Sequence, residues 1–165
     1  GGPVRVRSLT TIGSPWEPPM LAHFVRGDAA EGDAGYDIVR AFAKTLVDAR
    51  PATDAVIEQL TIGYADWAAS LAGTLDQMPV TVIGGSAFTR DGGDPALWPN
   101  DGAIQLRATT AASVPTGYVP RFEAHDLPLT HSLFVSGMAG LAPETALTWN
   151  PEVGAIVLAA LRAAT

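Results

Sequence analysis

The hydrophobic positions of this chain form short β-type runs separated by longer blocks with helical spacing. Residues 4–12, VRVRSLTTI, alternate at first and stop at Gly-Ser-Pro, which predicts a strand that ends in a turn. Residues 78–88, MPVTVIGGSAF, predict a buried strand whose last residues open into a glycine turn. Residues 117–124, GYVPRFEA, predict a third strand at a sheet edge, because Pro120 cannot donate a ladder hydrogen bond.

Between these strands the apolar residues recur every three or four positions. Residues 36–50 show this spacing and are followed by a proline, so they predict an amphipathic helix that ends there. Two further helices are predicted downstream, which gives a helical block over 36–77. Residues 103–113 predict a helix after the second strand, and residues 151–164 predict a closing helix with Asn150 as its cap.

The order of these elements is strand, helical block, strand, helix, strand, helix. This order predicts an α/β fold with a mostly parallel sheet. The length of 165 residues suits a single domain over 1–165. In such sheets the catalytic groups lie at the carboxyl ends of the strands, so candidate residues are sought after positions 12, 84 and 124.

Composition narrows the class of protein. Hydrophobic residues make up 47% and charged residues 16%, which predicts a soluble globular protein and leaves open whether it is secreted or cytoplasmic. The net charge of −7 disfavours a nucleic-acid partner, since such a chain repels a phosphate backbone. The longest apolar run, 153–161, is far shorter than the roughly 20 residues of a membrane span. Cysteine is absent, so thiolate chemistry is excluded, and no cofactor is predicted.

An acid and a base follow successive predicted strands. The loop after the second strand contains Asp91, Asp94 and Asp101, and the segment after the third contains His125 and His131. An aspartate that accepts a hydrogen bond from one imidazole nitrogen fixes the tautomer of the ring. The other nitrogen can then take a proton from a hydroxyl nucleophile. The pattern therefore predicts a catalytic acid and histidine, with Asp101 and His131 as the favoured pair.

Each of these residues also has an ordinary structural interpretation. Asn-Asp-Gly around Asp101 is first of all a turn sequence, and a histidine often fills the surface or the core. His131 is favoured over His125 because it begins an apolar stretch. A metal site made of His125, Asp126 and His131 would need three ligands from one short loop stiffened by Pro128, so no metal is predicted.

Three segments resemble lipases and esterases of the α/β-hydrolase superfamily. RSLTTIGSP is similar to the strand and turn after their nucleophile helix, NDGAIQL to the segment with their catalytic acid, and PLTHSLF to their histidine segment. The resemblance implies that Asp101 is the acid and His131 the base of a Ser-Asp-His triad. It also implies that residues 15–77 form a helical lid inserted between the sixth and seventh strands of that fold.

The nucleophile of that family has no counterpart in the chain. Its elbow has the pattern Gly-x-Ser-x-Gly, and no stretch matches it. Ser14 follows a strand, but Pro15 prevents the helix start that an elbow requires. The resemblance therefore covers the C-terminal half of an α/β-hydrolase. The serine is expected on an N-terminal half, as a separate chain or missing segment, and the isolated chain is expected to be inactive.

The expected activity is hydrolysis of carboxylic esters, with a lipid or other small ester as substrate. Acyl transfer or thioester cleavage on the same fold, and a non-catalytic interaction or scaffold domain, remain as alternatives. Apolar side chains near the lid are candidates for an acyl pocket, with plain core packing as the alternative; they are Trp16, Met20, Phe24 and Trp67.

Overall fold

A computed structural model describes residues 5–20, 44, 70, 72–75, 78–112 and 122–164 of the chain. The elements in chain order are β1 (Leu9–Ile12), α1 (Ala72–Leu75), β2 (Val80–Gly85), α2 (Leu106–Thr109), β3 (Phe122–Leu127), α3 (Leu133–Met138), a 3-10 helix (Pro143–Thr145) and α4 (Pro151–Ala163). Most of the helical block predicted over 36–77 lies outside the described residues.

The three strands form a parallel sheet in the order β1-β2-β3. Leu9 pairs with Val80, and Val80 pairs with Phe122. The central strand β2 is buried along its whole length, as its Val- and Ile-rich sequence predicts. The α/β class with a parallel sheet is thereby confirmed, and the carboxyl ends of all three strands meet at one edge.

The strand boundaries differ from the prediction at two places. β1 begins at Leu9, and residues 5–8 before it lie outside the strand, because β2 begins only at Val80 and offers no earlier partner; the Leu9 amide donates to the Pro79 carbonyl at 3.0 Å. β3 continues to Leu127, three residues beyond the predicted end at 124. His125 therefore lies within a strand and not in the loop that follows it.

The glycine pair at the end of β2 forms part of the strand and not a turn. A Cβ on Gly84 would overlap Thr109 Oγ1, and a Cβ on Gly85 would overlap the Leu129 carbonyl oxygen. The same Gly85 Cβ would come within 2.8 Å of Asp101 Cβ. These glycines are required because other backbone and side-chain atoms pack directly against the strand.

The helices also follow the prediction in part. α4 confirms the closing helix, and the Asn150 side chain accepts a hydrogen bond from the Glu152 amide at 2.9 Å, as a cap should. The helix predicted over 103–113 is reduced to α2, because the amides just before it bond to an aspartate side chain in the preceding turn. Helix α3 is not predicted by the sequence pattern.

The core consists of apolar clusters on the two faces of β2. Val80 and Val82 pack with Trp16 on one face, whereas Ile83, which points to the other face, packs with residues of β3 and α4. No helix in the described part of the chain is long and apolar enough to cross a bilayer. Apolar clusters therefore pack against both faces of the sheet, and this packing fixes the position of its carboxyl edge.

Candidate functional site

Asp101 and His131 meet at the carboxyl edge of the sheet. Asp101 lies in the turn between β2 and α2, and His131 lies between β3 and α3. The Asp101 Oδ2 atom is 2.9 Å from His131 Nδ1, across 30 residues of sequence. The structure thus brings together the acid and the histidine that the sequence singles out.

The turn around Asp101 is built by its own side chains. Asp101 Oδ1 accepts hydrogen bonds from the amides of Ala103 at 2.9 Å and Ile104 at 2.7 Å. Asn100 Oδ1 accepts from the Gly102 amide at 2.9 Å, and Gly102 has a φ of 92°, which favours glycine. One carboxylate oxygen of Asp101 is therefore used by the turn, and the other is left for the imidazole.

His131 is fixed to the same turn twice. Besides the side-chain bond, its backbone amide donates to the Asp101 carbonyl at 2.8 Å. The Asp101 side chain is fully buried, whereas the His131 side chain is 28% exposed. With Nδ1 bound to a carboxylate oxygen, which can only accept, Nδ1 carries the proton and Nε2 in the neutral ring has a free lone pair. The arrangement makes Nε2 a proton acceptor on the opposite side of the ring.

The pKa of His131 reflects two opposing causes. Burial disfavours the imidazolium and by itself lowers the pKa, but the hydrogen bond to Asp101 and the negative charge of Asp101 together outweigh it. The net result is a pKa raised above the ordinary histidine value of 6.5. Asp101 therefore stabilises the ring after it has taken up a proton.

This raised pKa predicts a pH dependence of stability. The pKa of the unfolded chain is about 6.5, so the stabilisation is complete below that pH and is lost as the pH rises through the higher folded pKa. We expect the difference in unfolding free energy between the wild-type protein and a His131→Ala variant to shrink across that window. Urea unfolding at a series of pH values measures the difference, and a difference that grows with pH contradicts the prediction.

A cluster of buried hydroxyl groups holds the segment that carries His131. Thr130 Oγ1 lies 2.5 Å from Ser136 Oγ in α3, and Ser136 Oγ lies 3.0 Å from Thr145 Oγ1 in the 3-10 helix. The Thr130 amide donates to the Thr145 carbonyl at 2.7 Å. Since Thr130 and Ser136 are almost completely buried, these bonds fix the residue next to His131.

The other acidic and histidine candidates lie apart from this pair. Asp91 and Asp94 are exposed, and Asp94 Oδ1 accepts from the Ala96 amide at 2.9 Å within its own loop. His125 Nε2 is 3.1 Å from Glu123 Oε1 on the edge strand β3. Asp126, on the same strand, accepts a 2.5 Å hydrogen bond from Ser86. Within the described ranges no group of three or more His, Asp or Glu residues has the arrangement of a metal site.

The apolar pocket candidates divide into two groups. Trp16 and Met20 are buried, with 7% and 1% of their surfaces exposed, and Trp16 packs in the core cluster beside β2. Phe24 and Trp67 lie outside the described residues. The acyl-pocket role of these four side chains stays a prediction.

The sequence interpretation missed two glycines that contact the pair. Gly85 packs against Asp101, and a Cβ on Gly13 would lie 3.2 Å from His131 Nδ1. The only signal for them in the sequence is their position at strand ends, where glycine also serves as an ordinary turn residue. Comparison of the chain with protein-family models, with curated proteins and with solved structures finds no match.

Proposed function

We propose that this chain supplies the acid and the histidine of a Ser-Asp-His triad that hydrolyses carboxylic esters, in the manner of α/β-hydrolase lipases and esterases. The observation that carries the proposal is the 2.9 Å hydrogen bond between buried Asp101 and partly exposed His131. These are the two residues to which the resemblance assigns those roles. The serine is supplied by a segment outside these 165 residues.

The proposed chemistry follows from the protonation pattern of the pair. His131 Nε2 takes the proton of the serine hydroxyl as the serine oxygen attacks the ester carbonyl carbon. The resulting imidazolium is stabilised by Asp101 and then gives its proton to the leaving alcohol, while the acyl group stays on the serine. Water, deprotonated by the same nitrogen, hydrolyses the acyl-enzyme and restores the serine.

The position of the imidazole supports a nucleophile next to β1. His131 follows β3, but its ring lies near Gly13 at the end of β1, where a built Cβ would be 3.2 Å from Nδ1, so it reaches across the end of the central strand. Asp101, which follows β2, binds the ring at Nδ1, on the side away from Nε2. A serine at the carboxyl end of a further strand paired with β1 would lie on the far side of the ring from Asp101. The acid, the base and the nucleophile would then follow one another along the carboxyl edge of the sheet.

Fluorophosphonate labelling tests the proposal on the natural protein that contains this chain together with whatever partner copurifies with it. We expect a labelled serine outside residues 1–165 and ester hydrolysis that a His131→Ala variant reduces by about 10³-fold or more. The matched control is His125→Ala, since His125 pairs with Glu123 on the edge strand and not with Asp101.

Three outcomes would overturn the proposal. The first is absence of any labelled serine, and the second is a label on a serine of this chain. The third is a His131→Ala variant that keeps the activity of the His125→Ala control. Product analysis with an added alcohol as competing acceptor separates hydrolysis from acyl transfer, because only a transferase gives mainly the transferred ester.

A further inference from the structure

Gly13, the residue after β1, leaves the space beside the imidazole of His131 without a side chain. Gly13 has a φ of 58°, and a Cβ built on it would lie 3.2 Å from Nδ1 and 3.3 Å from Cε1 of His131. These distances are shorter than ordinary van der Waals contact, so a side chain does not fit easily between the backbone of Gly13 and the ring. Nδ1 is also the atom that binds Asp101.

We propose that Gly13 is a positioning residue for His131, because its missing side chain leaves the space that the ring needs in the orientation that keeps Nδ1 on Asp101. Gly13 follows β1 at one edge of the sheet, whereas His131 follows β3 at the other edge, two strands away. The catalytic consequence rests on the proposed function, whereas the contact and its effect on the ring do not.

Gly13 cannot easily move away from the ring. Its amide donates to the Ile83 carbonyl at 2.8 Å, and the Trp16 amide donates to the Ala108 carbonyl at 2.8 Å, which fixes the turn on both sides. The third neighbour of the built Cβ is Leu147 Cδ1 at 3.3 Å, and Leu147 is 1% exposed. His131, with 28% of its side chain exposed, has the most room to move. A methyl group on Gly13 is therefore expected to push the imidazole outward and lengthen its bond to Asp101.

The test is Gly13→Ala, with Gly140→Ala as the matched control. Gly140 has a φ of 68° and nothing within 4 Å of a built Cβ, so it carries the same backbone strain without the contact. The first readout is the imidazole nitrogen and N–H resonances of His131. We expect Gly13→Ala to weaken the Nδ1–H hydrogen bond to Asp101 and so to shift its N–H resonance upfield, and to lower the pKa of His131, because a longer bond opposes the effect of burial less. Gly140→Ala should leave both unchanged.

A double-mutant cycle, measured as the free energy of unfolding, tests the same contact even when Gly13→Ala is poorly folded. In a His131→Ala background the added methyl still meets Leu147 but no imidazole, so Gly13→Ala should cost clearly less there than in the wild-type background. A cost as large as in the wild-type background overturns the inference, as does an unchanged His131 signal in folded Gly13→Ala. In the complete enzyme we expect kcat to fall roughly 10-fold with little change in KM. Absence of ester hydrolysis in the wild type would count against the proposed function alone, since the spectroscopic and stability results do not depend on it.

Discussion

An Asp101→Asn variant is expected to lose ester hydrolysis by about 10⁴-fold while keeping its fold. The size of the loss follows from the two different partners of the carboxylate. Oδ1 accepts from the amides of Ala103 and Ile104, whereas Oδ2 faces His131 Nδ1. An asparagine must keep its oxygen towards the two amides, because only oxygen can accept their protons. Its NH₂ group therefore faces the imidazole.

This exchange reverses the tautomer of the ring. An NH₂ group donates, so His131 Nδ1 must accept, and the single proton of the neutral ring moves to Nε2. Nε2 can then no longer take a proton from the proposed serine. The pKa of His131 should also fall below its wild-type value, since the charge that opposes the effect of burial is gone.

The matched control for this variant is Asp94→Asn. Asp94 Oδ1 also accepts a backbone hydrogen bond, from the Ala96 amide, but it lies in an exposed loop, and the two histidines that the structure describes pair with other carboxylates. Nitrogen NMR of the His131 ring identifies the tautomer, and hydrolysis of an activated ester measures the rate. An Asp101→Asn protein that keeps the proton on Nδ1, or that hydrolyses esters as fast as Asp94→Asn, contradicts the prediction.

A Gly85→Ala variant is expected to destabilise the protein by about 3 kcal/mol or more. The added Cβ would overlap the Leu129 carbonyl oxygen and come within 2.8 Å of Asp101 Cβ. Neither neighbour can give way easily, because Leu129 is 7% exposed and Asp101 is fully buried. The methyl group must therefore separate β2 from the two segments that carry the acid and the histidine.

Gly154→Ala is the matched control, because it makes the same glycine-to-alanine change at an exposed position of helix α4. Gly154 lies inside helix α4 with nothing within 4 Å of a built Cβ, so alanine there should stabilise the protein by about 0.5–1 kcal/mol. Urea unfolding measures both variants. A cost below about 1 kcal/mol for Gly85→Ala would show that the end of β2 is not closely packed against the turn that carries Asp101.

Several features of the fold follow from local sequence alone. Asn150 and the proline after it define the start of α4, and the Val- and Ile-rich run of β2 defines a buried strand. The alternation of strands and helices was sufficient to predict a parallel sheet. Asp101 and His131 were selected because each follows a strand, and parallel strands place their carboxyl ends at one edge.

Other features depend on contacts between distant residues and had no local signal. β1 begins at Leu9 only because its neighbour begins at Val80. The start of α2 is delayed because Asp101 binds the preceding amides. Gly13 and Gly85 look like turn residues in the sequence, although their significance lies in the atoms packed against them.

The sequence by itself determined which residue types stand at the strand ends, since hydrophobic period and turn chemistry act over a few neighbouring residues. Only the tertiary structure decided that Asp101 Oδ2 faces His131 Nδ1, because that contact joins residues 30 positions apart. Strand pairing, close packing at Gly13 and Gly85, and the buried hydroxyl groups beside Thr130 together fix its geometry. Hydrogen-bond geometry and steric exclusion depend on distances between atoms in space, and sequence spacing does not contain those distances.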